Sequence, residues 1–108
     1  MALDCKKLVG ITEKAQSRSL AKVKEWLVGR QQAIAEDMVV RAEAGYGHSV
    51  VNVPAKQILG LTPNKDNIGT IVTVCKKAVA DFVGEEAKVS ASAHYDNVLV
   101  TITWKELG

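Results

Sequence analysis

The clearest pattern in the chain is an alternation of apolar and polar residues near its end. Apolar residues occupy every second position from 98 to 104, and small or hydroxylated residues dominate positions 88–95 before them. Strict alternation is typical of a strand with one buried face, because successive side chains point to opposite faces of a sheet. The segment 88–105 therefore predicts a β-hairpin. Asp96 and Asn97 are its expected two-residue turn, since both residue types tolerate a positive φ.

This turn determines which residues of the two strands face each other. One face would pair Tyr95 with Val98, Ala93 with Val100, Ala91 with Ile102 and Val89 with Trp104. The other would pair His94 with Leu99, Ser92 with Thr101 and Ser90 with Thr103. The first face is apolar and the second is mostly hydroxylated. Because a lone hairpin is marginal in water, we expect the rest of the chain to cover the apolar face and to add a strand.

A long helix is predicted at the start of the chain. The segment from Leu3 to Ala44 is rich in Ala, Lys, Glu and Gln and contains no proline, a composition that favours helix. Thr12 is a candidate N-cap, and Gly45 is the expected residue just beyond the helix end. A helix from Glu13 to Ala44 would be about 48 Å long, whereas a compact domain of this size is about 34 Å across. Either the helix breaks near Gly29 or, as we expect, its first half projects from the domain.

A strand is predicted directly after this helix. It runs from Tyr46 to Val53 and stops before Pro54, because a proline cannot continue a strand in the centre of a sheet. Its alternation is imperfect, and we expect Val51 and Val53 to point inward.

The next segment predicts a short helical turn followed by a second long helix. The turn covers Ala55 to Leu61, and Thr62 and Pro63 are the expected N-cap and first residue of the helix. Gly84 is expected to end it. The apolar positions follow helical spacing at Ile68, Ile71, Val72, Cys75, Ala78, Val79 and Phe82.

The elements follow one another in the order α-β-α-β-β, which predicts an α+β fold. At this length we expect a single domain over residues 1–108. The expected architecture is a three-stranded mixed sheet with two helices on one face. The last strand should be central, because it is the most apolar of the three, and antiparallel to both others.

Charge and cysteine content narrow the possible settings and partners. No apolar run approaches the roughly 20 residues that a membrane helix needs, so no membrane partner is expected. Two widely spaced cysteines without a signal peptide predict a reducing, cytoplasmic location. The net charge is only +2, but residues 1–30 hold seven Lys and Arg against three Asp and Glu. Within them, Lys14, Arg18 and Lys22 predict a basic helix face that would contact phosphates in a nucleic-acid complex.

No motif in the chain specifies a reaction. The glycines do not form a phosphate-binding loop, and no carboxylate pair is placed for acid–base work. His94 near Ser92 is a weak candidate for a base beside a nucleophile, and Cys75 lies on an apolar stripe that predicts burial. His48 and His94 have no evident third ligand for zinc. We therefore expect no enzyme activity, no catalytic residue, no metal and no cofactor.

The first helix offers a candidate site for a partner protein. If it projects, Leu20, Trp26 and Leu27 would be exposed, and exposed apolar patches mark interaction surfaces. They would be buried in a homo-oligomer, which is the expected partner, or against another protein. The leading prediction is therefore a non-enzymatic protein–protein interaction module. The alternative is a nucleic-acid-binding protein that uses the basic face.

The order of elements also carries a resemblance. The long first helix ends in Ala44-Gly45-Tyr46, and the terminal hairpin finishes with the alternating run Val100 to Trp104. In this layout the chain resembles small uncharacterised α/β proteins encoded by tailed bacteriophages. The resemblance implies a viral origin, a location in the host cytoplasm or the virion, and a role through binding as a host-factor inhibitor, assembly helper or virion component. It implies no catalytic residue.

Overall fold

The computed structural model describes residues 5–105 and shows an α+β fold. The helices are α1 (Cys5–Gly29), α2 (Gln31–Glu43), α3 (Ala55–Leu59) and α4 (Ile68–Val83). The strands are β1 (His48–Val53), β2 (Lys88–His94) and β3 (Asn97–Thr103). The expected start of the first helix at Leu3 lies outside the described residues.

The three strands form one sheet in the order β1-β3-β2. β3 is central and pairs antiparallel with both neighbours. Its residues Val98, Val100 and Ile102 are fully buried, which agrees with the most apolar strand lying at the centre. The expected mixed sheet is wrong, because no parallel pair is hydrogen-bonded among the described strands. β1 and β2 do run in the same direction, but β3 separates them.

The hairpin turn lies one residue earlier than expected. Tyr95 and Asp96 form it, and the closing pair is His94 with Asn97. Tyr95 has a φ of 55°, and its side chain is 87% exposed. The predicted inward position of Tyr95 and the predicted turn at Asp96-Asn97 are therefore wrong. Every expected pair between β2 and β3 shifts by two residues. Such a shift leaves each side chain on its expected face, because the side-chain period of a strand is two.

The core lies on one face of this sheet. α4 packs over β2 and β3, α2 packs against β1, and α1 packs against α4 and α3. The inward positions expected for Val51 and Val53 are confirmed, and half-buried Trp104 packs against the same core. The buried residues are Val23, Leu27, Ile34, Val51, Val53, Ala55, Ile71, Val74, Cys75, Ala78, Val79, Val98, Val100 and Ile102.

The expected long first helix is two helices. α1 ends at Gly29, and Arg30 leaves helical geometry with a φ of −113° and a ψ of 7°. The break lets Leu27 before it and Ile34 after it both reach the core. Gly45 follows α2 with a φ of 93°, as expected for a residue beyond a helix end. The first half of α1 also projects, since the molecule measures 61 Å along its longest axis and 27 × 24 Å across.

Two expected helix starts are wrong. Thr12 lies inside α1, where its hydroxyl donates a hydrogen bond to the carbonyl one turn earlier, a common arrangement for threonine within a helix. Thr62 and Pro63 lie in the loop that precedes α4. In that loop Asn64 and Asn67 each donate a backbone N–H to the side-chain oxygen of the other, at 2.7 and 3.1 Å. This reciprocal pair forms the turn from which α4 begins.

Ser49 is a buried polar residue on the inward face of β1. Its hydroxyl donates a hydrogen bond to Asp37 Oδ2 of α2 at 2.6 Å, and Arg41 Nε donates to the same oxygen at 3.0 Å. The bond from Ser49, and secondly that from Arg41, lowers the pKa of Asp37 below its ordinary value. The bond from Ser49 joins β1 to α2, and the bond from Arg41, which is within α2, orients the carboxylate that accepts it.

We expect Gly47→Ala to destabilise the protein. A Cβ at this position would overlap the carbonyl oxygen of Lys105. The backbone N–H groups of Trp104 and Lys105 donate hydrogen bonds to the Gly47 carbonyl. The free energy of unfolding, measured in urea, should fall by about 1–3 kcal/mol. Gly29→Ala is the matched control, because its Cβ would meet no atom within 4 Å and alanine favours helix by up to ~1 kcal/mol. Equal effects of the two changes would contradict the predicted overlap.

We expect Ser49→Ala to lower stability at neutral pH more than in acid. Because the folded pKa of Asp37 lies below its unfolded value, its ionised form stabilises the fold above about pH 4, and this contribution is lost as the pH falls through the folded pKa. The side chain of Asp37 is 47% exposed, so the expected loss is only about 1 kcal/mol at pH 7. Urea titrations at pH 7 and pH 3 test this, with exposed Ser92→Ala as the control. A loss independent of pH would disprove the role of this carboxylate.

Candidate protein-interaction site

The first part of α1 extends beyond the packed body of the protein. Its side chains are exposed at every position from 5 to 18 except Gly10, which is half-buried. We call residues 5–18 the overhang; as a helix it is about 21 Å long. Burial begins only at Ser19 and Leu20, where α1 comes against α4. The overhang is therefore a helical surface that this chain leaves largely uncovered.

An apolar ridge runs along the overhang. Leu8, Val9 and Ile11 are 51%, 54% and 55% exposed. Leu8, Ile11 and Ala15 are spaced by three and four residues, so they lie on one side of the helix. Val9 lies about 160° from Ile11 around the helix axis, on another side of the helix. Leu8 and Ile11 therefore form the apolar ridge, and exposed apolar surface of this kind marks an interaction site.

A basic stripe borders this ridge. Lys14, Arg18 and Lys22 are exposed and succeed one another at intervals of four residues, which places them along one side of α1. At 100° per residue, Ile11 lies between Arg18 and Lys22 around the helix axis, and Leu8 lies about 40° beyond Lys22. Among the described residues none of these three cations forms an ion pair. The exposed basic face expected from the sequence is thus present, and it is joined to an apolar ridge.

The apolar residues expected to bind a partner contact their own chain instead. Leu27 is fully buried in the core, and Leu20 and Trp26 are half-buried against it. The guanidinium of Arg30 also lies over the Trp26 ring, 5.5 Å from its centroid. The helix packs on α4 over this stretch and projects earlier. Its exposed apolar residues are Leu8, Val9 and Ile11 near its start and Val28 near its end. The spacing of Leu8 and Ile11 is the signal in the sequence that would have found the apolar ridge.

A cleft opens where the overhang meets α4. Its volume is about 500 Å³. α1 contributes Glu13, Gln16 and Ser17 to its wall, and the first turns of α4 contribute small residues such as Gly69 and Thr73. At 100° per residue, these residues of α1 lie roughly opposite Leu8 and Ile11, so the cleft is on the other side of the helix from the apolar ridge.

The two histidines do not come together. His48 pairs with Thr103 at one end of β3, and His94 pairs with Asn97 at the other end. Six residues of an extended strand separate these pairs by about 20 Å. Within residues 5–105 no group of three His, Cys, Asp or Glu side chains is placed to hold a metal ion.

The other candidate nucleophiles are poorly placed for catalysis. Ser92 and His94 are two residues apart on one face of β2, about 7 Å along the strand, and the His94 ring lies edge-on against Tyr95, with 4.7 Å between ring centroids. Cys75 is fully buried on α4, as its position in the apolar stripe predicts. Burial raises the pKa of the Cys75 thiol to about 11, so it stays protonated, and a thiol is a far weaker nucleophile than a thiolate.

No family model, curated protein or solved structure matches this chain. None of the helices within residues 5–105 has the length and apolarity needed to cross a membrane. The geometry of the overhang is therefore the basis for assigning a function.

We expect Gly10→Ala to stiffen the overhang. Glycine disfavours a helix interior by about 1 kcal/mol relative to alanine, and a Cβ at position 10 would meet no atom within 4 Å. Because a helix without tertiary contacts is marginal in water, amide exchange in residues 5–18 should slow by about fivefold. Hydrogen exchange measures this directly. Gly69→Ala, in equally open space on α4, should leave the overhang unchanged; an unaltered overhang in Gly10→Ala would contradict the prediction.

Proposed function

We propose that this chain is a protein-interaction module whose overhang docks into a groove on a partner protein, apolar at its floor and acidic at its rim. The observation that carries the proposal is the apolar ridge of Leu8 and Ile11 beside the basic stripe of Lys14, Arg18 and Lys22. A helix laid into a groove through residues at intervals of three and four is a recurring mode of peptide recognition.

The apolar ridge supplies affinity in this mode. Full burial of an aliphatic side chain stabilises a complex by about 1.5–3 kcal/mol, and Leu8, Val9 and Ile11 each have about half of their surface still to bury. Leu8 and Ile11, which share one side of the helix, contribute roughly 2 kcal/mol together, which alone does not offset the cost of association. The partner must therefore add contacts from its own groove and from charge complementarity.

The charge of the overhang favours an acidic partner over a second overhang. Residues 5–18 contain four basic residues and one acidic residue, Glu13. Two overhangs packed together would bring Lys14 and Arg18 close to the same cations of the other copy. An acidic rim instead attracts this surface and speeds encounter. Self-association through the first helix, the partner expected from the sequence, is therefore less favoured than docking on another protein.

Nucleic acid is the alternative partner. The basic stripe from Lys14 to Lys22 spans about 12 Å along α1 and can track a phosphate backbone. Phosphate contacts would leave Leu8 and Ile11 uncovered, however. The exposed rings of Tyr46 and Tyr95 lie near opposite ends of the sheet, so they do not form one stacking platform for bases.

Docking of the overhang on a partner requires neither the absence of catalysis nor a particular source of the chain. That the protein is not an enzyme, that it derives from a tailed bacteriophage, and that it acts in the host cytoplasm or the virion all stay predictions.

We expect Ile11→Glu to abolish partner binding. The change places a carboxylate in the centre of the apolar ridge, where a desolvated charge is costly and an acidic rim repels it. Affinity capture from a bacterial lysate, quantified by mass spectrometry, should recover at least tenfold less of the specific partner. Val40→Glu is the matched control, because Val40 on α2 is 64% exposed and distant in sequence from the overhang. It should leave recovery unchanged.

Nuclease treatment and a second variant separate the two candidate functions. Partner recovery that resists nuclease and is lost in Ile11→Glu supports the protein-binding function. Recovery that is sensitive to nuclease, steeply salt-dependent and lost when Lys14, Arg18 and Lys22 are changed to Glu supports nucleic-acid binding. Equal recovery with Ile11→Glu and Val40→Glu would overturn the docking proposal.

A further inference from the structure

The outer edge of β2 is an unpaired and unprotected strand edge. β2 pairs with β3 on one side and with no other described strand. It runs for seven residues without a proline, its register against β3 is continuous, and its single ionic residue, Lys88, lies at its start. Strand edges expose a row of N–H and C=O groups, which natural proteins protect with prolines, bulges or inward charges. β2 has none of these devices along its length.

The hydrophobic core is also open along this edge. Val89 of β2 and Val72 and Val83 of α4 are only half-buried, although they pack against the core. On α4, Val72 lies on the side opposite Asp81, and Asp81 bonds to Lys24 of α1 at 3.0 Å. α1 lies on the Asp81 side of α4, where it also packs against α3 and α2. The opposite side of α4, which carries Val72 and Val83, therefore faces the free edge of β2.

We infer that two copies of this chain join through β2 edges, so that two three-stranded sheets become one antiparallel sheet of six strands. α4 packs over both β2 and β3, so in such a sheet the two α4 axes would be two strand spacings apart, about 10 Å. Helices pack at 8–10 Å. The second copy therefore pairs the strand edge and at the same time covers Val72 and Val83 with its own α4.

The charges near β2 favour pairing about Ser90 over pairing about Ala91. With Ser90 opposite Ser90 of the second copy, Lys88 faces Ser92, and Glu86 comes beside His94 of the other chain, where the imidazole can donate a hydrogen bond to the carboxylate. Shifting the axis to Ala91 keeps the faces matched but sets Lys88 against His94 and Glu86 against Asp96. The surface is thus self-complementary about Ser90, as an isologous two-fold contact requires.

This contact is independent of the overhang and extends the proposed function. A dimer joined through β2 carries two overhangs, so it can bind two sites on a partner assembly with increased avidity.

A charge swap tests the contact. Sedimentation equilibrium at about 0.1 M salt should show that Glu86→Lys and His94→Glu each weaken dimerisation by about tenfold. Glu86→Lys removes both carboxylates that accept from His94, and His94→Glu sets a carboxylate against Glu86 at both ends of the contact. The double variant should return to within about threefold of the original protein, and His94→Lys should dimerise at least as well. Positions 86 and 94 of one chain are about 25 Å apart, well beyond the Debye length. Recovery in the double variant therefore arises only between copies.

Hydrogen exchange provides the second readout. As concentration rises through the dimerisation range, alternate amides of β2 should gain protection, while those of the already paired β3 should not change. A protein that stays monomeric at several hundred micromolar, or a double variant that shows no recovery, would overturn the inference. Ile11→Glu separates this contact from the overhang: it should leave the dimer intact, and loss of the dimer in that variant alone would show that copies pair through α1 instead.

Discussion

The packing of α4 on the apolar face of β3 is the contact on which the rest of the structure depends. Val98, Val100 and Ile102 contribute the centre of the sheet, and Ile71, Cys75, Ala78 and Val79 contribute the facing side of the helix. Burial of such side chains is worth about 1.5–3 kcal/mol each, so this layer supplies much of the stability. α1 and α2 add to it from one side only. The two uncovered regions, the overhang and the β2 edge, both lie where this layer ends.

The sequence predicts the faces of the sheet better than it predicts pairing. A period of two in β3 identifies its buried residues, but a shift of two residues leaves the period unchanged, so the turn was placed at Asp96-Asn97 rather than at Tyr95-Asp96. Both pairs of residues allow a tight turn, and composition does not distinguish them. The start of α4 was misplaced for a related reason. Thr62-Pro63 matches a helix start locally, but the reciprocal bonds of Asn64 and Asn67 delay the helix to Ile68.

At the candidate site, the spacing of apolar residues in the sequence does not determine which of them are exposed. Leu20, Trp26 and Leu27 have the same helical spacing whether they face a partner or the chain's own α4, and only the position of α4 decides between the two. The basic residues Lys14, Arg18 and Lys22 were predictable as an exposed face, because long cationic side chains are seldom buried. Leu8 and Ile11 were overlooked because they precede Thr12, the expected helix start. Thr12 instead lies inside the helix, where its hydroxyl donates a hydrogen bond to the Leu8 carbonyl, so the helix does not begin there.

The central position of β3 has a consequence for how the protein is made. β1 and β2 flank the strand that follows both of them in the chain, so neither has a neighbour to pair with while the ribosome is still translating their codons. The helices can form as they emerge, but the sheet assembles only after β3 leaves the exit tunnel. Until then the edge of β2 and the apolar side of α4 are available to any other nascent chain. A protein of this topology therefore depends on prompt synthesis of β3, or on a chaperone that shields these surfaces in the interval.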